Sequence, residues 1–154
     1  MKISIACDKA GVIYVERCCE YFRKNGMDFV VRLPEDGSAF WYDYVDGAEL
    51  VAHDVADGDC DLGVLICGTG IGMSIAANKV KGIRASVCSD TFSAEMTRRH
   101  NNANVLCMGA RVIGEEIMMC VLDAFMKAPF DGLTEEGARH LNRVNKILAL
   151  EEAF

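Results

Sequence analysis

The densest chemistry in the chain lies where Cys67 runs directly into Gly68-Thr69-Gly70-Ile71-Gly72, with three glycines in five positions. Glycines let the backbone fold tightly and turn several N–H groups toward one point, and a helix beginning there adds the positive end of its dipole. Such a cradle holds an anion or a developing oxyanion. A thiol beside it is favoured as thiolate, because cysteine pKa values in such fields fall from about 8.5 toward neutrality. A fall of ~1.5 units corresponds to about 2 kcal/mol of preference for the charged form. Cys67 so placed has the parts needed to take a proton from carbon beside a carbonyl, with Gly68, Gly70, Ile71 and Gly72 supplying amides to the oxygen. The plainer reading makes Cys67 one more packing cysteine and the glycines a simple turn.

Other uses of a glycine loop fit less well. A dinucleotide fingerprint needs G-x-G-x-x-G, but Met73 stands where its third glycine belongs, and Asp90 after the next strand is the one feature in its favour. A cysteine phosphatase needs an arginine just past the loop, where this chain has Met73 and Ser74, and the Gly-Lys-Ser/Thr ending of a Walker loop is missing. Of the three histidines, His53 reads as a surface or packing residue within a helix. His100, in Arg98-Arg99-His100-Asn101-Asn102, falls at a helix end, either as a cap or as an acid/base able to open a sugar ring. Arg139 and Arg143 share one helical face beside His140, an arrangement suited to solvent or to a phosphate gripped by two guanidinium forks.

Positioning these groups requires alternating short apolar runs and longer amphipathic ones. Strands are expected over Lys2 to Cys7, Phe29 to Leu33, Leu62 to Cys67, Ala85 to Cys88 and Val105 to Met108. Helices are expected over Val12 to Asn25, from an Asp43 cap to Ala56, over Met73 to Lys79, Asp90 to His100 and Ile113 to Lys127, and from about Thr134 with Glu135 and Glu136 in its first turn. Strands and helices in alternation imply an α/β, three-layer, Rossmann-like doubly wound fold on a five-stranded parallel sheet. Ligands in such folds bind at the carboxyl ends of strands, which selects Asp8 and Lys9, Cys67 to Gly72, Ser89 and Asp90, and Gly109 to Arg111.

With 154 residues, 51% hydrophobic and 25% charged, the chain suits one domain spanning residues 1–154. The longest apolar run, Ile117 to Leu122, is far below the ~20 residues that cross a bilayer, and no secretory signal opens the chain. No membrane partner and a cytoplasmic location are therefore expected. Eight cysteines without C-x-x-C spacing read as thiols, seven of them packing and Cys67 set apart. A formal charge of -7 argues against nucleic-acid binding, while basic islands at Arg98-Arg99-His100 and at Arg139, His140, Arg143 and Lys146 suit one small anion.

Taken together, these residues resemble the type B ribose-5-phosphate isomerases and the related galactose-6-phosphate isomerase subunits. The resemblance runs through Cys7-Asp8-Lys9-Ala10-Gly11, Asp43-Tyr44, Ile66 to Gly72 with Ala76-Ala77-Asn78-Lys79, Arg99-His100-Asn101, Gly109-Ala110-Arg111 and Gly137 to Arg143. It implies a metal-free, cofactor-independent aldose–ketose isomerase of the pentose phosphate pathway, a homodimer or tetramer with active sites shared between subunits. By the same resemblance Cys67 is the base, Thr69 assists proton traffic and His100 opens the furanose ring. Asp8, Lys9, Tyr44 and Asn101 meet the sugar, Arg111, Arg139 and Arg143 grip its phosphate, and the last helix packs on or reaches a partner. Two departures bear on substrate: Lys9 stands where ribose-5-phosphate members usually carry histidine, and Phe40-Trp41-Tyr42 forms an aromatic loop. The expected reaction is ribose 5-phosphate to ribulose 5-phosphate. The alternatives are another aldose phosphate (galactose, allose or a tetrose phosphate) or a non-catalytic sugar-phosphate-binding subunit.

Overall fold

Each short apolar run becomes a strand of one sheet. A computed structural model, describing residues 1–152, contains β1 (Lys2–Cys7), β2 (Asp28–Val31), β3 (Leu62–Cys67), β4 (Ala85–Val87) and β5 (Val105–Gly109). All pair in parallel, in the order β2-β1-β3-β5-β4. The helices are α1 (Val12–Lys24), α2 (Tyr44–Ala56), α3 (Ile71–Ala77), α4 (Thr91–Asn101), α5 (Glu115–Lys127) and α6 (Ala138–Leu150). Every residue of central β3 is buried, as a strand covered on both faces requires. Its side chains alternate between two cores. Val64 and Ile66 join Phe22 of α1, Ala94 of α4 and Phe125 of α5, whereas Leu65 and Cys67 join Val51 of α2 and Met73 of α3.

The ends of helices differ from expectation for local reasons. The glycine loop enters α3 at Ile71 rather than Met73, because Gly70 takes a left-handed φ of 79° and its carbonyl already accepts from Ser74 N–H. The last helix starts at Ala138 rather than Thr134. A 3-10 turn (Asp131–Leu133) comes first, and Thr134 Oγ1 donates to the Asp131 carbonyl and accepts from Gly137 N–H, so Glu135 and Glu136 precede the helix. Asp43 and Asp90 are N-caps, accepting from Val45 N–H and Ser93 N–H.

All eight cysteines are free thiols. Cys120 departs from the packing role expected of it and is exposed, since Met118, Val121, Leu122 and Phe125 supply the buried stripe of α5. No helix among the described residues is long and apolar enough to cross a membrane.

Candidate active site

Cys67 ends β3 at the carboxyl edge of the sheet, where the chain turns through the glycine loop. Its Sγ accepts a hydrogen bond from Gly70 N–H at 3.0 Å. Ile71 N–H donates to Thr69 Oγ1 at 3.3 Å, a second contact made within the loop. The loop after β5 is laced to it through the main chain: Ala110 N–H donates to the Cys67 carbonyl at 2.8 Å and Arg111 N–H to the Gly68 carbonyl at 3.0 Å. That lacing sets the Arg111 guanidinium beside Gly68, with Nη1 3.7 Å from where a Gly68 Cβ would stand. At Gly72 a Cβ would fall 2.7 Å from the Tyr44 ring, so glycine there lets the tyrosine cover the first turn of α3.

Asp8 joins this group from β1. Its backbone N–H donates to the Ile66 carbonyl, next to Cys67, and its carboxylate accepts from Ala10 N–H at 2.8 Å and Gly11 N–H at 3.2 Å. Lys9 beside it is exposed. The aromatic loop arrives by a short parallel bridge between Asp8 and Trp41, whose indole N–H donates to the Arg32 carbonyl, while Tyr42 is open to solvent. A hollow of about 520 Å³ lies along Phe40, Trp41 and Tyr42. A larger groove of about 610 Å³ between α2 and α3, lined by Val45, His53, Ala76 and Val80, does not include Cys67.

Other thiols are held protonated by their surroundings. Burial, with help from Asp8, pushes Cys7 up to about 12, and burial pushes Cys18 to about 12 and Cys88 to about 11. Cys107, entirely enclosed, is raised well above the ordinary value. None of these four carries the backbone N–H contact that Cys67 receives among the hydrogen bonds of the described residues.

The remaining expected residues lie elsewhere. His100 and Asn101 end α4, which runs antiparallel to the strands, and the chain then turns at Asn102 toward the start of β5. The Asn104 carbonyl accepts from Gly63 N–H at 2.9 Å, at the opposite end of β3 from Cys67. Four residue steps of extended strand lead from Gly63 to Cys67, about 13 Å at roughly 3.3 Å per residue. His100 stacks on His140 of α6 with ring centroids 4.1 Å apart, and Arg99 bonds Asp131 at 3.1 Å and Glu95 at 2.9 Å. Arg139 and Arg143 are exposed on the same helix. One chain thus brings together Asp8, Lys9, Tyr44, Cys67 to Gly72 and Arg111 at the carboxyl edge. It gathers His100, Asn101, Arg139 and Arg143 at the amino edge, so Arg111 stands apart from the other two arginines.

His53 is exposed, with Glu49 and Asp57 near its ring, and Asp90 is spent on its helix cap rather than free for a ribose hydroxyl. His140, expected in a basic island open to a small anion, is not on the surface. It is buried in line with Val144 one turn later, a spacing visible in the sequence but flanked by charges that suggest a solvated face.

Residues 3–147 match the family model described as Ribose/Galactose Isomerase. The chain belongs to the ribose/galactose isomerase family. It is similar to ribose-5-phosphate isomerase B of Escherichia coli, 42% identical over 98% of this chain and 97% of that protein. It is also similar to D-erythrulose-4-phosphate isomerase of Pectobacterium atrosepticum, 41% identical over 86% of each. Its fold is that of ribose-5-phosphate isomerase B from Mycoplasma genitalium, solved with bound ribulose-5-phosphate, at a TM-score of 0.88 and 37% identity over 99% of this chain and 97% of that one. Within the ribose/galactose isomerase family, a pentose and a tetrose isomerase are thus matched at nearly equal identity, and overall likeness does not choose the sugar.

Proposed function

We propose that this sugar-phosphate aldose–ketose isomerase interconverts ribose 5-phosphate and ribulose 5-phosphate, with Cys67 as the base. The observation that carries this is the Gly70 N–H aimed at Cys67 Sγ at 3.0 Å, which fixes the sulfur beside the turn of the glycine loop. With the open-chain aldose bound, the thiolate removes the C2 proton, and the electron pair moves to give a cis-enediolate whose negative oxygen lies against the loop amides. Cys67 returns the proton to C1 while the O2 proton passes to O1, Thr69 assisting at the oxygens, and the C2 ketone forms. Asp8, Lys9, Tyr44 and Asn101 orient hydroxyls. His100 opens the furanose beforehand, and Arg111, Arg139 and Arg143 hold the phosphate.

These roles require two chains. Cys67 and His100 occupy opposite edges of one sheet, which supports a dimer or tetramer in which the amino edge of one subunit closes over the carboxyl edge of another, α6 reaching across. The exposure of Arg139 and Arg143 in the single chain supports the same reading. Residues 1–154 act as one domain, in the cytoplasm, with no cofactor, metal, nucleic acid or membrane taking part.

A second reading keeps the chemistry and changes the sugar. Lys9 places a long fixed cation at the sugar end, and the Trp41 loop beside Asp8 reshapes the same wall. Both favour an aldose phosphate of other length or hydroxyl configuration, a tetrose, allose or galactose phosphate. A coupled assay over tetrose to hexose phosphates tests both readings. The highest kcat/KM is expected with ribose 5-phosphate; a clear preference for another sugar replaces the substrate, and no turnover of any makes the chain a sugar-phosphate-binding subunit.

A further inference from the structure

His140 is an enclosed titratable side chain at the amino edge to which the mechanism gives no task. It is only 4% exposed, yet its Nδ1 has no hydrogen-bond partner among the described residues. A histidine kept merely for packing is normally hydrogen-bonded when buried, so an orphaned nitrogen calls for another explanation. The ring lies flat on that of His100, with centroids 4.1 Å apart and planes 3° from parallel. The groups facing it are His100 from α4, Asp131 from the 3-10 turn, and Arg139 and Arg143 from its own helix. Burial first, then His100 and the two arginines, disfavour charge on His140, and Asp131 alone opposes them, so its pKa lies below the ordinary histidine value.

We infer that His140 is a positioning residue for sugar-ring opening, its stacked ring fixing the plane in which His100 presents a proton to the furanose oxygen. The inference rests on the isomerase reading above, with His100 as the ring-opening group. His100 belongs to the last turn of a helix, where an imidazole held by nothing else turns about its side-chain bonds. With one face covered by a parallel ring, its nitrogens are confined to one plane. A neutral neighbour also spares the His100 ring the repulsion of a second charge stacked on its face. In the step served, the bond between C1 and the ring oxygen breaks, the oxygen gains the His100 proton, and the C1 hydroxyl proton leaves through water back to His100 as the aldehyde forms.

The experiment compares His140→Ala, which removes the ring, with His140→Phe, which keeps a flat one, using two reactions of the intact enzyme. Turnover of ribose 5-phosphate needs ring opening. Exchange of the C1 proton of ribulose 5-phosphate with deuterium oxide, followed by NMR, needs only the Cys67 step, because this ketose is open-chain. In His140→Ala, kcat for ribose 5-phosphate is expected to fall about tenfold with KM little changed, while C1 exchange stays near the wild-type rate. His140→Phe is expected to recover most of the lost kcat. Equal losses in both reactions, a rise in KM alone, or phenylalanine no better than alanine would overturn the inference. Wild-type enzyme that catalyses neither reaction would remove the isomerase reading itself, and the inference with it.

Discussion

The two edges of the sheet are built by different means. At the carboxyl edge the main chain does the positioning: Gly70 N–H meets the Cys67 sulfur, and the loops after β3 and β5 are tied by backbone hydrogen bonds of 2.8 and 3.0 Å. At the amino edge side chains do it, through the stacked pair of His100 and His140 and the Arg99 contacts to Asp131 and Glu95. A backbone-built site tolerates change in its neighbours, because amides are present whatever the side chains are. A side-chain-built site depends on each rotamer and on the protonation state of each partner.

The largest expected effect falls on the carboxyl edge. Cys67→Ser is predicted to lower kcat by about 10²–10⁴-fold, the usual worth of a positioned base. Binding of a non-reactive sugar phosphate, measured by calorimetry, should persist, since the amides remain; near-normal turnover would deny Cys67 its role. Mixing two inactive variants, Cys67→Ser and His100→Ala, after joint refolding tests whether the edges meet across subunits. Random pairing makes half the dimers mixed, each with one intact site, so about a quarter of wild-type activity should return. No recovery would place both groups in one chain's site.

A further contrast concerns the flank of the sheet, where the last turn of α2 packs on β1. Asp54, 7% exposed on α2, accepts from Ser4 Oγ at 2.5 Å and Arg32 Nε at 2.7 Å. Burial alone would raise its pKa, but Arg32 and Ser4 outweigh it and hold it below the ordinary value. Its stabilising contribution is therefore present above about pH 4 and lost as pH falls through the lowered value. Asp54→Ala, which strands Arg32, is predicted to cost roughly 2–3 kcal/mol, toward the low end for a broken buried pair because Arg32 is partly exposed. Denaturant unfolding checks this.

The amino edge should respond to milder acid. His140 has a lowered pKa, so the unfolded chain binds its proton first. Stability from this group is whole above about pH 6.5 and declines as pH falls below it, so the protection factors of α6 amides against exchange should fall below that pH. Unchanged protection in α6 would remove this pH sensitivity from the amino edge. The smallest effect is expected from Lys9→His, which alters one exposed side chain: it should shift kcat/KM toward ribose 5-phosphate by a few-fold, and an unchanged sugar profile would relieve Lys9 of any part in specificity.

The carboxyl edge was legible in the sequence because its parts are contiguous. A thiol, a run of glycines and a helix start stand within a few residues, and the rule of strand ends supplies Asp8 and Arg111. The amino edge was less so. His100 and Arg139 were found as residue types, but their distance from Cys67 follows from the direction of α4, which only the assembled sheet displays. The start of α6 was hidden because Glu135 and Glu136 look like first-turn acids, whereas Thr134 spends its hydroxyl on a separate turn. His140 was hidden by charged neighbours that mask its alignment with Val144.

The amide that meets the Cys67 sulfur belongs to the main chain and is therefore inherited independently of the sulfur. On the mechanism proposed above, a descendant of this chain that exchanges cysteine for another small residue would lose the reaction in one step and keep the receptor for the same sugar. Catalyst and sensor are neighbours in sequence space, one codon apart, and the glycine loop is the part they share.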